Sequence, residues 1–136
     1  MSRFPVGRSE RTLDDLRVAL EAARVPGSSE LLTSGASPVA VSLTRYLTTI
    51  TTGGTAGTEA VTVGDGTGEV IGTRKLIVLG TRTDGSDVVS LDHANIVNAS
   101  GTQTTNVDLD AADEFVLLEW NGSKWQIVYS DATVAT

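Results

Sequence analysis

From Val39 onward the chain carries short runs in which branched or aromatic residues alternate with polar ones. "VAVSLTRYLTTI" (39–50), "EAVTVG" (59–64), "TRKLIVLG" (73–80), "DVVSL" (87–91), "TQTTNVDL" (102–109), "EFVLLEW" (114–120) and "KWQIVYS" (124–130) each read as a strand. Val and Thr suit a pleated, half-buried surface, and their branched Cβ is restricted in helices. Between the runs lie "TTGGTAG", "GDGTGEVIG", "TRTDGSD" and "NASG", which are turn compositions. Short strands punctuated in this way predict a mainly β domain over 38–136, an antiparallel sandwich or barrel.

The last two runs make the sharpest local prediction. Asn121-Gly122 is the preferred pair for a two-residue type I′ hairpin turn, in which both central residues need φ > 0. That turn sets Leu118 opposite Trp125, Val116 opposite Ile127 and Glu119 opposite Lys124. One face then carries Val116, Leu118, Trp120, Trp125 and Ile127, a core face. The other carries Phe115, Leu117 and Val128 beside an expected Glu119–Lys124 pair. A hairpin apolar on both sides needs a second cover. A neighbouring subunit meeting Phe115, Leu117 and Val128 is one answer; the N-terminal arm folding back is the other.

The first 37 residues have a different texture. "TLDDLRVALEAARVPG" predicts one short helix over about 12–24: Thr12 caps it, and Asp14 and Asp15 sit in the first turn. Leu13, Leu16, Leu20 and Ala23 share one face, and Pro26-Gly27 ends it. "GSSELLTSGASP" (27–38) reads as linker, and residues 1–11 as a tail. So short a helix is marginal alone in water, and its leucine stripe must pack on something.

Charge sharpens the contrast between the two parts. Net charge over the 136 residues is −7. Residues 1–24 hold Arg3, Arg8, Arg11, Arg17 and Arg24 against Glu10, Asp14, Asp15 and Glu21, about +1, which leaves about −8 for the rest. The arm is either a solvated amphipathic helix or a segment that docks on an acidic surface. The acidic total argues against nucleic acid as a partner. No apolar run is long enough for a membrane span, and the N-terminus lacks the apolar core of a signal peptide, so a soluble protein without a membrane partner is expected.

Motifs for chemistry are sparse. There is no cysteine, which excludes disulfides and thiolate chemistry. His93 is the only histidine; beside Asp92 it reads as a surface or turn residue. "GDGTGEVIG" lacks the lysine and following helix of a phosphate loop. Asp108, Asp110, Asp113 and Glu114 offer oxygen ligands for Ca²⁺, without the EF-hand spacing, and read better as an acidic turn. No catalytic motif is present, so neither an enzyme activity nor a cofactor is expected.

The segment "ADEFVLLEWNGSKWQIVYSDATV" resembles the C-terminal hairpin of small virion proteins of tailed bacteriophages. The upstream "GTEAVTVGDGTGEVIGTRKLIVLGTRTDGSDVVSL" is similar to the strand–turn pattern of head decoration proteins and fibre modules. That resemblance covers roughly Leu43–Val134. It implies a homotrimer without enzyme activity, carried on the capsid exterior. It also implies an arm that contacts the major capsid protein lattice, here through Arg3, Arg8, Arg11 and Arg17 with Leu13, Leu16 and Leu20 as apolar anchors. The main expectation is therefore a capsid decoration (cement) protein. The alternatives are a tail fibre or receptor-binding module, or a small carbohydrate- or Ca²⁺-binding β-domain.

Overall fold

The computed structural model of the chain describes residues 29–54 and 57–136. The helix expected over 12–24 lies outside the described residues. Eleven strands follow in order: β1 (Ser29–Ser34), β2 (Val39–Ala40), β3 (Leu47–Thr52), β4 (Thr58–Thr62), β5 (Arg74–Thr81), β6 (Val88–Leu91), β7 (Ile96–Val97), β8 (Asn106–Leu109), β9 (Phe115–Trp120), β10 (Trp125–Ser130) and β11 (Thr133–Ala135). They form two sheets, β1-β3-β5-β9-β10-β7 and β11-β8-β6-β4-β2, hereafter sheets A and B.

The domain is mainly β, as the alternation predicts, but its sheets are mixed rather than antiparallel. Through β6 the chain crosses from one sheet to the other after every strand. Odd strands therefore stack in parallel in sheet A (β1, β3, β5) and even strands in parallel in sheet B (β2, β4, β6). Later strands close this coil mostly antiparallel, β9 on β5, β10 on β9, β8 on β6 and β11 on β8, with β7 parallel on β10. The physical reason is the connections. A two-residue turn returns a strand beside itself, whereas longer loops carry it over the core to the opposite sheet.

Two further expectations are corrected. The linker assigned to 27–38 contains β1, the edge strand of sheet A, whose Leu31–Leu32 pair made too short a run to stand out among Ser and Gly. The Asn121-Gly122 turn is not type I′. Trp125 pairs with Trp120, Gln126 with Glu119 and Ile127 with Leu118, so the loop is two residues longer than expected. Gly122 has φ 99°, but Asn121 does not take positive φ. Its side-chain oxygen instead accepts from the backbone N–H of Ser123 at 2.9 Å and Lys124 at 2.8 Å. This Asx-type bonding competes with the tight turn. A shift of two residues keeps each side chain on its face, because the strand period is two. The expected core face therefore stands: Val116, Leu118, Trp120, Trp125 and Ile127 are all buried. The Glu119–Lys124 pair does not form; Glu119 meets Arg74 at 2.9 Å, and Lys124 donates to the Ala94 carbonyl.

Ile50, Ile77, Leu79, Val116 and Leu118 of sheet A face Val61, Val89, Leu91, Val107 and Leu109 of sheet B in one core. At one end the indoles of Trp120 and Trp125 lie 5.4 Å apart. The Gly64–Gly72 loop seats on them. The Gly64 carbonyl accepts from Trp125 Nε1 at 3.0 Å, and a Cβ on Gly66 would stand 2.6 Å from Trp120 Cε3. "GDGTGEVIG" is thus a crossover loop packed flat on tryptophan, with Gly66 there because no larger residue fits.

Polar side chains line part of the interior. Lys75, buried on β5, donates to the Arg45 carbonyl at 2.7 Å and to Thr48 Oγ1 at 2.5 Å, with Glu30 at 3.9 Å. Elsewhere Ser34 donates to buried Glu59, and Thr52 to buried Asp87, each at 2.5 Å. Burial pulls the Lys75 ammonium down from 10.5 to about 8; nearby Glu30 opposes that shift and Arg45 adds to it.

Two outcomes follow from this packing. Gly66→Ala should destabilise the domain by about 1–3 kcal/mol, because the added methyl must displace Trp120 or the loop. Thermal unfolding followed by tryptophan emission reads this, and an unchanged Tm would contradict the contact. For Lys75, the folded value is the lower one, so between about pH 8 and 10.5 the unfolded chain holds the extra proton. Stability due to this residue therefore rises with pH across that window. The Tm of the parent chain relative to Lys75→Met should increase from pH 8 to 10.5; a flat difference would refute the buried ammonium.

Candidate interaction surface

Outward-facing residues of sheet A build the most distinctive surface of the domain. Strand pairing aligns them in two rows across neighbouring strands. Leu47, Leu76, Leu117 and Tyr129 are successive partners from β3 to β10. Leu31, Thr49, Val78 and Phe115 are successive partners from β1 to β9. Over the β5–β9–β10 part the rows open into a groove of about 550 Å³, lined by Tyr46, Arg74, Leu76, Val78, Asp113, Phe115, Leu117 and Tyr129. On the edge strand β1, two strands from β5, Leu31 is 88% exposed.

Local structure explains how the groove forms. β10 bulges between Ile127 and Tyr129, so Tyr129 rather than Val128 pairs with Leu117. The extra residue re-aims the strand, and Tyr129 meets Phe115 edge to face, with ring centroids 5.6 Å apart. Asp113 sits at the rim with φ 71°, its N–H donating to the Leu79 carbonyl. The turn before β9 is held by Glu114, whose carboxylate accepts from the N–H of Asp110 at 2.7 Å and of Ala111 at 3.2 Å. Partial burial raises the Tyr46 phenol above its usual 10.0, while the Arg74 guanidinium pulls it back.

Of the interface residues expected from the hairpin, Phe115 and Leu117 line the groove. Val128, 43% exposed, is the extra residue of the bulge and lies outside it. Tyr46, Arg74, Leu76, Val78 and Tyr129 were not anticipated. A signal for two of them was present: "KLIVLG" is apolar at consecutive positions, and a strand apolar on both sides is covered on both sides. Arg3, Arg8, Arg11, Leu13, Leu16, Arg17 and Leu20 lie outside the described residues.

The other candidates have structural partners. Asp92 accepts from the Ala94 N–H and caps a 3-10 turn at His93–Asn95, and His93 Nδ1 lies 3.1 Å from the Thr104 carbonyl. Asp108 on β8 bonds Asn106 at 2.8 Å, away from the Glu114 turn. Among the described residues no group of three or more His, Asp or Glu is arranged to hold a metal ion. Among them, too, no helix is long and apolar enough to cross a membrane. No protein-family model and no curated protein sequence matches the chain.

Tyr46 should ionise above the usual tyrosine range. Arg74→Gln should raise it further, since the cation favours the phenolate. A pH titration of phenolate absorbance, with Tyr129→Phe to isolate the signal, measures both. A midpoint in Arg74→Gln at or below that of the parent would contradict the assigned contact.

Proposed function

We propose that the chain is a structural protein of a tailed-bacteriophage virion, a capsid decoration protein that works as a homotrimer. The observation that carries this reading is a small two-sheet domain with one apolar outward sheet face, a surface suited to being covered by protein. The charge division supports it, about +1 over residues 1–24 against about −8 beyond. On this reading Arg3, Arg8, Arg11 and Arg17 pair with acidic groups of the major capsid protein lattice. Three arms delivered by one trimer raise effective concentration, so individually weak contacts hold jointly across capsomer boundaries.

A second reading, a tail-fibre or receptor-binding module, is favoured by one observation. Tyr46, Phe115 and Tyr129 meet Arg74 and Asp113 in a single groove, a combination of rings and polar groups able to take a sugar.

The reading is tested by mixing the full chain with undecorated phage heads and measuring co-sedimentation. Binding is expected, and Arg3→Glu, Arg8→Glu and Arg11→Glu together should weaken it at least about tenfold, with strong salt dependence in the parent. Heads that leave the parent chain in the supernatant would overturn the decoration reading. Saccharide binding lost in Tyr129→Ala would establish the second reading in its place.

A further inference from the structure

We infer that Glu59 and Asp87 hold one hard divalent cation, calcium, between the two sheets. The inference does not depend on the virion reading, and it uses none of the acidic residues at 108–114.

Placement comes first. At one end of the sandwich β1, β3 and β5 finish while β4 and β6 begin. Glu59 of β4 pairs with Val89 of β6, and Asp87 lies two residues before Val89, so both carboxylates rise from one face of sheet B. That face is the inward one: Glu59 is 1% exposed and Asp87 0%. Each carboxylate reaches across to sheet A. Ser34 Oγ donates to Glu59 Oε1, and Thr52 Oγ1 to Asp87 Oδ2, both at 2.5 Å. Ser34 and Thr52 are register partners on adjacent strands, about 4.8 Å apart. The two carboxylates are therefore held side by side at about that spacing.

Bonding comes second. Each carboxylate is used on one oxygen only. Glu59 Oε1 also accepts from the Gly53 N–H at 3.2 Å, and Asp87 Oδ2 from the Asp84 N–H at 3.0 Å. Glu59 Oε2 and Asp87 Oδ1 are buried without a hydrogen-bond partner. Among the described residues the ion pairs are Arg74–Glu119 and Lys75–Glu30, so no cationic side chain pairs with either carboxylate there. Arg82 donates to the carbonyls of Gly85, Asp87 and Asp110 instead. Neighbouring buried carboxylates repel one another, and a buried charge needs a counter-ion or a metal.

Chemistry selects the ion. Oxygen donors alone suit a hard cation. Calcium takes oxygens at about 2.3–2.6 Å, so one ion joins donors up to about 5 Å apart, the spacing that the hydroxyl pair sets. Two carboxylates suffice when hydroxyl, carbonyl or water oxygens complete the shell. The Ser34 and Thr52 hydroxyls orient the free oxygens by holding the other oxygen of each carboxylate, as outer partners of metal ligands do. Protonation answers less well. An O–H on either free oxygen would itself be a buried donor in need of an acceptor. Only a proton shared between the two would satisfy both, and that arrangement takes up no calcium.

The test is calorimetric titration and thermal unfolding of the full chain after chelator treatment. One calcium per chain should bind with Kd below about 1 mM and raise Tm by at least about 4 °C at saturation. Glu59→Gln and Asp87→Asn keep the hydroxyl-bonded oxygen as an acceptor, and each should weaken binding at least about tenfold. Asp113→Asn, in the exposed acidic turn, should leave it unchanged. A parent chain that binds no calcium at about 5 mM would overturn the inference in favour of the shared proton. So would binding that survives Glu59→Gln with Asp87→Asn, or binding lost in Asp113→Asn, since either marks surface acids as the site. The parent titration needs no variant, so a substitution that fails to fold leaves the inference open to refutation.

Discussion

The contact between Trp120, Trp125 and the Gly64–Gly72 loop joins the two halves of this domain. The loop carries the chain from β4 in sheet B to β5 in sheet A, and the tryptophans belong to the closing hairpin. Gly72 N–H donates to the Trp120 carbonyl, and Trp120 N–H donates to the Thr73 carbonyl. Crossover and hairpin are therefore bonded through backbone as well as ring. Removing a buried tryptophan side chain costs about 3–5 kcal/mol, against a total stability of about 5–15 kcal/mol for a domain. A parallel coil has no local hairpin to nucleate it, and its contacts are far apart in sequence. A bulky, well-seated pair at the end of the chain supplies long-range contacts that fix the crossover.

The buried polar pairs do a different job. Ser34 and Thr52 are cross-strand partners in β1 and β3, and each donates to a buried carboxylate from sheet B or its margin, Glu59 and Asp87. One oxygen of each carboxylate has no hydrogen-bond partner among the described residues. Buried carboxylates held this way contribute little net stability compared with apolar residues of the same size. They do discriminate between registers. Sliding β1 against β3 by one residue would turn Ser34 outward and leave Glu59 with the Gly53 N–H as its remaining donor, which costs about 1–3 kcal/mol.

The residue pattern made most strand runs and the core face of the hairpin legible, because alternation reports burial on one side of a strand directly; the run 39–50, read as one strand, is β2 and β3 in opposite sheets. It did not make strand direction legible. Alternation is the same in parallel and antiparallel pairs, and only connection geometry separates them. The face assignment survived the wrong turn because the error was an even number of residues. The bulge breaks parity at a single residue: Val128 faces outward as expected, and Tyr129, which alternation alone would turn to the core, faces outward beside it. β1, β7 and β11 were missed because two to six residues, flanked by turn compositions, give too little periodicity to register. Lys75, Glu59 and Asp87 were missed as interior groups because charged residues are buried only when the fold supplies partners, and those partners lie far away in sequence.

The groove was half legible, through Phe115 and Leu117, and its asymmetry with the opposite sheet gives it meaning. Sheet B presents Thr58, Ala60, Thr62, Val88, Ser90, Asn106 and Asp108 on its outward side. That is the ordinary alternation of a sheet with one wet face. Sheet A presents Leu31, Leu47, Leu76, Val78, Phe115 and Leu117. Both sheets draw on Thr and Val, so a general excess of apolar residues does not explain the difference. Strand propensity does not explain it either, since Thr would satisfy it at every one of those positions. The remaining cause is a requirement on that face itself, which carries the run of apolar side chains that a sheet covered on both sides carries.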